Sequence, residues 1–77
     1  MANPADASLQ YLAGMTCMRL QLGGKAQQLL QQSLPRLKDN DLEKNAWVAL
    51  AELADHRGDV VAATQAWKNA AKVTSSA

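Results

Sequence analysis

The chain has 77 residues, which is enough for one small domain and excludes a multidomain enzyme. Eight basic and seven acidic residues give a formal net charge of +1, so the overall charge does not favour nucleic acid or an anionic membrane as the partner. Hydrophobic residues make up 48% of the chain, but fifteen of them are alanine and none is phenylalanine. We therefore expect a thin core of leucine and alanine, in which Tyr11, Trp47 and Trp67 are the only large fillers. The single cysteine, Cys17, excludes an internal disulfide and favours a reducing compartment.

The composition predicts an all-α fold class, because β-branched residues are few and alanine, leucine and glutamine are abundant. At the N-terminus, Asn3 is placed as an N-cap, Pro4 as a first-turn proline and Asp6 as the carboxylate of a capping box. These signals predict a first helix from about Pro4 to about Leu22. We expect Gly23–Gly24 to end it, because glycine readily takes the left-handed conformation of a helix C-terminus.

A second helix is predicted from about Lys25 toward Lys38. Pro35 falls inside it, and an interior proline removes a backbone hydrogen bond and clashes with the preceding turn. We therefore expect a kink or an early end at Pro35. The glutamines of this helix lie mostly opposite its apolar stripe, which consists of Ala26, Leu29, Leu30, Ser33, Leu34 and Leu37.

The third predicted helix runs from about Leu42 to Arg57. Asn40 with Glu43 three residues later is a candidate capping box at its start. His56 and Arg57 place positive charge in its last turn, which is favourable at a helix C-terminus.

Gly58 and Asp59 mark the junction between the third and fourth helices. Gly58 is the expected C-terminal stop, and Asp59 can cap the next helix at once. The fourth helix is predicted from about Val60 to Val73. The apolar stretches of all four helices are interrupted by polar residues every few positions, so we expect no direct membrane insertion of this segment.

The two halves of the chain superpose when the sequence is shifted by thirty-seven positions. Small residues then fall on small residues: Gly14 on Ala51, Cys17 on Ala54, Ala26 on Ala63 and Ser33 on Ala70, while Leu30 falls on Trp67. This recurrence matters because two helices joined by a tight turn pack closely only where each presents little side chain. The second half has the fuller pattern, which consists of Trp47, Leu50, Ala51, Ala54, Gly58, Ala63, Trp67 and Ala70.

This pattern resembles the tetratricopeptide repeat in both order and spacing. The resemblance implies two antiparallel helix pairs in a right-handed superhelix, within one domain covering residues 1–77. Repeat 1 would span about residues 7–38 and is degenerate, since Gln10 occupies the slot of Trp47. Repeat 2 would span about residues 44–73. An unrelated four-helix bundle is the alternative fold.

A closer resemblance, to the C-terminal repeat region of the HemY family, rests on five segments: Leu9–Gly14, Gln21–Ala26, Ala49–Leu53, Gly58–Asp59 and Ala62–Ala63. HemY proteins are bacterial inner-membrane proteins associated with protoheme IX biosynthesis, with two transmembrane helices before the repeats. The family often has an aromatic residue where this chain has a glycine at position 23. The resemblance implies that the chain is the last part of a longer protein whose anchors lie upstream. It would then lie on the cytoplasmic side of the membrane.

The residues that usually carry chemistry are too few for an enzyme or a metal site. His56 and Cys17 occur once each, which leaves no pair of ligands at zinc spacing and no haem-attachment motif, so we expect no cofactor and no metal. Cys17 falls at a packing position and is expected to act as a small buried hydrophobe. Haem ligation by His56, Met15 or Met18 is the alternative that the family resemblance suggests. The carboxylates near position 40 are explained by helix capping, and no catalytic group accompanies them.

In tetratricopeptide arrays the first helix of each repeat lines a concave groove, and the resemblance implies the corresponding positions here. That groove would be apolar at one end and acidic at the other, which suits an amphipathic helix or an extended peptide with a basic end. Alternatively, its apolar residues pack against a neighbouring repeat or a second copy of the chain. The partner-binding positions implied are Ser8, Tyr11, Met15, Met18, Asn45, Val48, Glu52 and Asp55.

Two repeats are fewer than the roughly three that a solenoid needs to bury its own end faces. We therefore expect the isolated chain to form a homo-oligomer, through the Trp67 face of the last helix or the open face of the first. Three functions remain: a scaffold that binds a protein or peptide partner, a haem or porphyrin binder, and a structural oligomerisation piece. The sequence favours the first.

Overall fold

A computed structural model describes the backbone of residues 6–75 and the side-chain surroundings of residues 6–73. These residues contain no strand, so the predicted all-α class is confirmed for the part of the chain described. The elements in chain order are α1 (Ala7–Arg19), α2 (Gly23–Ser33), a short 3-10 turn (Leu34–Arg36), α3 (Asn40–Arg57) and α4 (Val60–Ser75).

The chain divides into two compact units, residues 1–37 and residues 38–77. In the first unit α1 packs on α2, and in the second α3 packs on α4. Each unit is therefore one pair of helices joined by a tight turn.

Helix α1 begins directly after Asp6, whose side chain accepts a hydrogen bond of 2.8 Å from the backbone N–H of Ser8. Asp6 is thus the N-cap itself, not the carboxylate of a capping box. The predicted cap Asn3 and the predicted first-turn residue Pro4 lie outside the described residues.

The end of α1 corrects the prediction that Gly23–Gly24 would stop it, because these glycines begin α2 instead. The left-handed position is taken by Gln21, with φ of 62°. Its N–H donates to the Met18 carbonyl (3.0 Å), and the N–H of Leu22 donates to the Cys17 carbonyl (2.8 Å). These are the two hydrogen bonds of a Schellman motif, a helix ending that usually contains glycine.

The same motif ends α3, where Gly58 was expected to stop the helix and does so with φ of 78°. The N–H of Gly58 donates to the Asp55 carbonyl (3.0 Å), and the N–H of Asp59 donates to the Ala54 carbonyl (2.9 Å). Gly58 stands thirty-seven positions after Gln21. The two helix pairs therefore turn at the same register, although one turn lacks the glycine.

Helix α2 ends early at the proline, as predicted. Its last residue is Ser33, and Pro35 lies in the 3-10 turn that follows. The N–H of Leu37 then donates to the Ser33 carbonyl (3.0 Å) and, as in a 3-10 turn, to the Leu34 carbonyl three residues back (3.3 Å). The expected continuation toward Lys38 is replaced by this tighter turn.

Helix α3 is capped by Asp39, not by Asn40 as predicted. The Asp39 carboxylate accepts from the backbone N–H groups of Asp41 (2.8 Å) and Leu42 (3.4 Å), and Asn40 is the first helical residue. An ionised carboxylate is the stronger acceptor for these amides and is favoured by the helix dipole.

The junction of α3 and α4 follows the prediction closely. Helix α3 ends at Arg57, and α4 begins at Val60. Asp59 caps α4 by accepting a hydrogen bond of 3.1 Å from the backbone N–H of Ala62. The last helix reaches Ser75, two residues beyond the predicted end.

The buried apolar residues confirm a thin core: nine of the fourteen found in the described part are alanine. Tyr11 is buried as expected, and Trp47 is half-buried. Trp67 is not a core filler, since it is 43% exposed. It follows Ala66 by one position, and at 3.6 residues per turn this step rotates it away from the face that Ala66 buries.

Gly14 lies where α1 crosses α2. A β-carbon built on Gly14 would stand 2.9 Å from Cγ of Leu30 and 3.4 Å from the carbonyl oxygen of Ala26. Both of those residues are fully buried, so neither can move into solvent. The two helices therefore approach this closely only because position 14 has no side chain.

Replacing Gly14 by alanine should destabilise the protein. Overpacking against Leu30 costs about 1–3 kcal/mol, and the better helix propensity of alanine offsets about 1 kcal/mol of that. We expect the free energy of unfolding to fall by up to about 2 kcal/mol on the balance of these two terms. Urea unfolding followed by circular dichroism measures this. Gly24→Ala is the matched control, because a β-carbon at position 24 would have no atom within 4 Å of it; equal stabilities of the two variants would contradict the close crossing.

Replacing Gln21 by glycine should stabilise the protein by about 1 kcal/mol, because the left-handed conformation costs a non-glycine residue roughly that much. Gln28→Gly, at an exposed position inside α2, should have the opposite effect and destabilise by about 1 kcal/mol. The same urea experiment compares the two variants. Destabilisation by Gln21→Gly would show that residue 21 is not left-handed in solution.

Candidate partner-binding surfaces

The four groove positions predicted on α1 share one face of that helix, which we call the α1 stripe: Ser8, Tyr11, Met15 and Met18. Ser8 is exposed, and the two methionines are half-buried. Tyr11 is only 6% exposed, so little of its ring is accessible to a partner. The accessible part of the α1 stripe is therefore a serine hydroxyl and the edges of two thioethers.

The four positions predicted on α3 also share one helix face, which we call the α3 stripe: Asn45, Val48, Glu52 and Asp55. All of them are exposed except Val48, which is half-buried. Glu52 and Asp55 are three positions apart, so their carboxylates project from neighbouring positions of the same face. The α3 stripe therefore combines a small apolar contact with two negative charges.

The predicted repeat framework separates into buried and accessible members. Cys17 and Trp47 are half-buried, whereas Gly58 and Trp67 are exposed. Cys17 was predicted to be buried and is therefore more exposed than expected. The buried members are Gly14, Ala26, Leu30, Ser33, Leu50, Ala51, Ala54, Ala63 and Ala70.

Two polar residues occupy framework slots that are apolar in the second half. Ser33, the counterpart of Ala70, is fully buried, and its hydroxyl donates to the Leu30 carbonyl at 2.8 Å. Gln10, the counterpart of Trp47, accepts a hydrogen bond of 2.8 Å from the guanidinium of Arg36. Gln10 thus links α1 to the 3-10 turn in place of aromatic packing.

The residues considered for haem binding are divided between the two units. His56 is exposed in the last turn of α3, while Met15 and Met18 are half-buried on α1. No group of three or more histidine, cysteine, aspartate or glutamate side chains within the described residues is arranged to hold a metal ion. None of the described helices combines the length and apolar character needed to cross a bilayer.

Two exposed apolar faces were only partly anticipated from the sequence. The α1 outer face lies opposite Tyr11 and consists of Leu9, Leu12 and Leu20, which are 45%, 57% and 64% exposed. The α4 outer face consists of Val60 and Trp67, which are 72% and 43% exposed, together with the exposed Ala71. The sequence pattern that could have predicted the α1 outer face is its set of leucines, which recur at helical spacing on the side of α1 away from its buried face.

Comparison of the chain with protein families, with curated proteins and with solved structures gave no match. Its role must therefore be inferred from its own residues and their geometry.

Proposed function

We propose that this chain is a non-catalytic protein–protein interaction module made of two tetratricopeptide-like repeats. In this proposal the two helix pairs form part of a right-handed superhelix. The observation that supports it most directly is the common register of the pairs: the turns at Gln21 and Gly58 use the same two hydrogen bonds. Gly14 in the first pair and its counterpart Ala51 in the second are also both buried.

The α1 and α3 stripes define the chemistry of the partner. Met15 and Met18 offer a flexible apolar surface that adapts to different side chains. Glu52 and Asp55 offer negative charge that attracts a basic residue. A peptide with an apolar helical face and a lysine- or arginine-rich end meets both requirements.

The resemblance to HemY proteins extends the proposal to the parent protein. In such a parent this module would be the C-terminal repeat region on the cytoplasmic side of the inner membrane. Its contribution to protoheme IX biogenesis would be to hold a partner protein. Direct haem ligation is not part of the proposal, since the sequence has one histidine and no haem-attachment motif.

A peptide-binding experiment tests the module. The probes are two fluorescent amphipathic peptides of about five helical turns, identical except that one ends in three lysines and the other in three glutamates. We expect the lysine-ended peptide to bind more tightly, and Met15→Asp to weaken its binding by about tenfold, which corresponds to about 1.4 kcal/mol. Fluorescence anisotropy gives both affinities.

Charge reversal on α3 sharpens the same experiment. Glu52→Lys combined with Asp55→Lys should reverse the preference between the two peptides, because both carboxylates are exposed. Gln65→Lys, at an exposed position of α4, is the control and should leave the preference unchanged. Equal affinity for the two peptides, or an unchanged affinity in Met15→Asp, would show that the α1 and α3 stripes do not bind the peptide. Tyr11 is not a useful position for this test, because its burial makes a change there a change in stability.

A further inference from the structure

The outer face of α1 is open, whereas the same face of α3 is closed. Thirty-seven positions separate Leu9 from Ala46 and Leu12 from Ala49. Both alanines are buried, at 0% and 3% exposure, but both leucines are exposed. The positions of this face are therefore buried in α3, whereas in α1 they carry larger apolar side chains and are exposed.

The outer face of α4 shows the converse asymmetry relative to α2. Trp67 is exposed, whereas its counterpart Leu30 is fully buried. Ala71 is exposed, whereas its counterpart Leu34 is half-buried. These two positions are therefore more exposed in the second pair than in the first.

We propose that these two faces bind each other between copies of the chain: the α4 outer face of one copy packs on the α1 outer face of the next. The occupant is a second copy because each outer face exposes apolar residues at positions whose counterparts in the same chain are more buried. One chain thus carries both halves of the contact. Burying Trp67 against Leu12 removes from water two large apolar side chains that are 43% and 57% exposed.

The charges at the helix ends select the orientation of this contact. Helix α1 has Asp6 at its start and Arg19 at its end, and α4 has Asp59 at its start and Lys72 at its end. The two charges are thirteen positions apart in both helices, and all four side chains are exposed. An antiparallel arrangement places Asp6 near Lys72, whereas a parallel one places Asp6 near Asp59 and Arg19 near Lys72. The Asp59 carboxylate already lies 3.6 Å from the Arg57 guanidinium of its own chain, so the Asp6–Lys72 pair carries most of this preference. Exposed ion pairs contribute little affinity but discriminate between orientations.

The antiparallel register also matches the apolar residues. With Asp6 opposite Lys72, Leu12 near the middle of α1 comes within one position of Trp67 near the middle of α4, and Leu20 comes within two positions of Val60. The contact uses different surfaces on its two sides, so it is heterologous and can extend into longer assemblies or close into a ring.

Complementary variants test this head-to-tail contact. Leu12→Glu removes the α1 outer face and leaves α4 intact, while Trp67→Glu does the reverse. We expect the wild-type chain to self-associate with rising concentration and each variant alone to be a monomer. Equimolar mixing of the variants should restore one contact and give a 1:1 dimer of twice the monomer mass. Sedimentation velocity and light scattering measure these masses.

Matched controls are Gln28→Glu and Gln65→Glu, which add the same charge at exposed positions outside both outer faces and should associate as the wild type does. Leu9→Glu and Val60→Glu are the second pair, used if circular dichroism shows that either first variant is unfolded. A monomeric wild type at all attainable concentrations, self-association of either variant alone, or no complex on mixing would each overturn the proposal. None of the replaced residues belongs to the α1 or α3 stripe, so this result and the peptide-binding result are independent.

Discussion

The contact between Gly14 and Leu30 sets how closely α1 and α2 can approach, and much of the first unit depends on it. Leu30 and Ala26 are fully buried because the missing side chain lets α2 come down onto α1. A chain with no internal disulfide and mostly alanine in its core gains its stability from such close approach, where many small dispersion contacts add up. The second unit applies the same plan with Ala51, which is also fully buried.

The two units share their backbone plan more closely than their side chains. The same pair of hydrogen bonds ends α1 and α3, although the left-handed residue is Gln21 in one and Gly58 in the other. Side-chain exposure then differs between the units: Leu30 is fully buried, whereas its counterpart Trp67 is 43% exposed. The proposed self-association rests on these differences, because apolar positions that are buried in one unit have exposed counterparts in the other.

Most of the helical plan could be read from the sequence, because apolar spacing, Pro35, Gly58 and Asp59 each have one strong local interpretation. The errors arose where neighbouring residues compete for one role. Glycine usually takes the left-handed position at the end of a helix, which is why Gly23–Gly24 was the expected end of α1. The left-handed residue is instead Gln21, at the position equivalent to Gly58 of the second unit. Burial was less predictable than helix position, because it depends on which helix lies opposite. The stripe positions were placed on the correct helices, but the burial of Tyr11 required the structure.

The function proposed here depends on the first helix pair having the crossing described. A nuclear Overhauser experiment on the full chain tests this directly, through the Hα protons of Gly14 and the methyl protons of Leu30. The structure predicts strong cross-peaks between them, since a β-carbon on Gly14 would stand only 3.0 Å from Cδ2 of Leu30. Absence of these cross-peaks in the folded protein would contradict the close crossing and, with it, the repeat plan from which the binding surfaces are inferred.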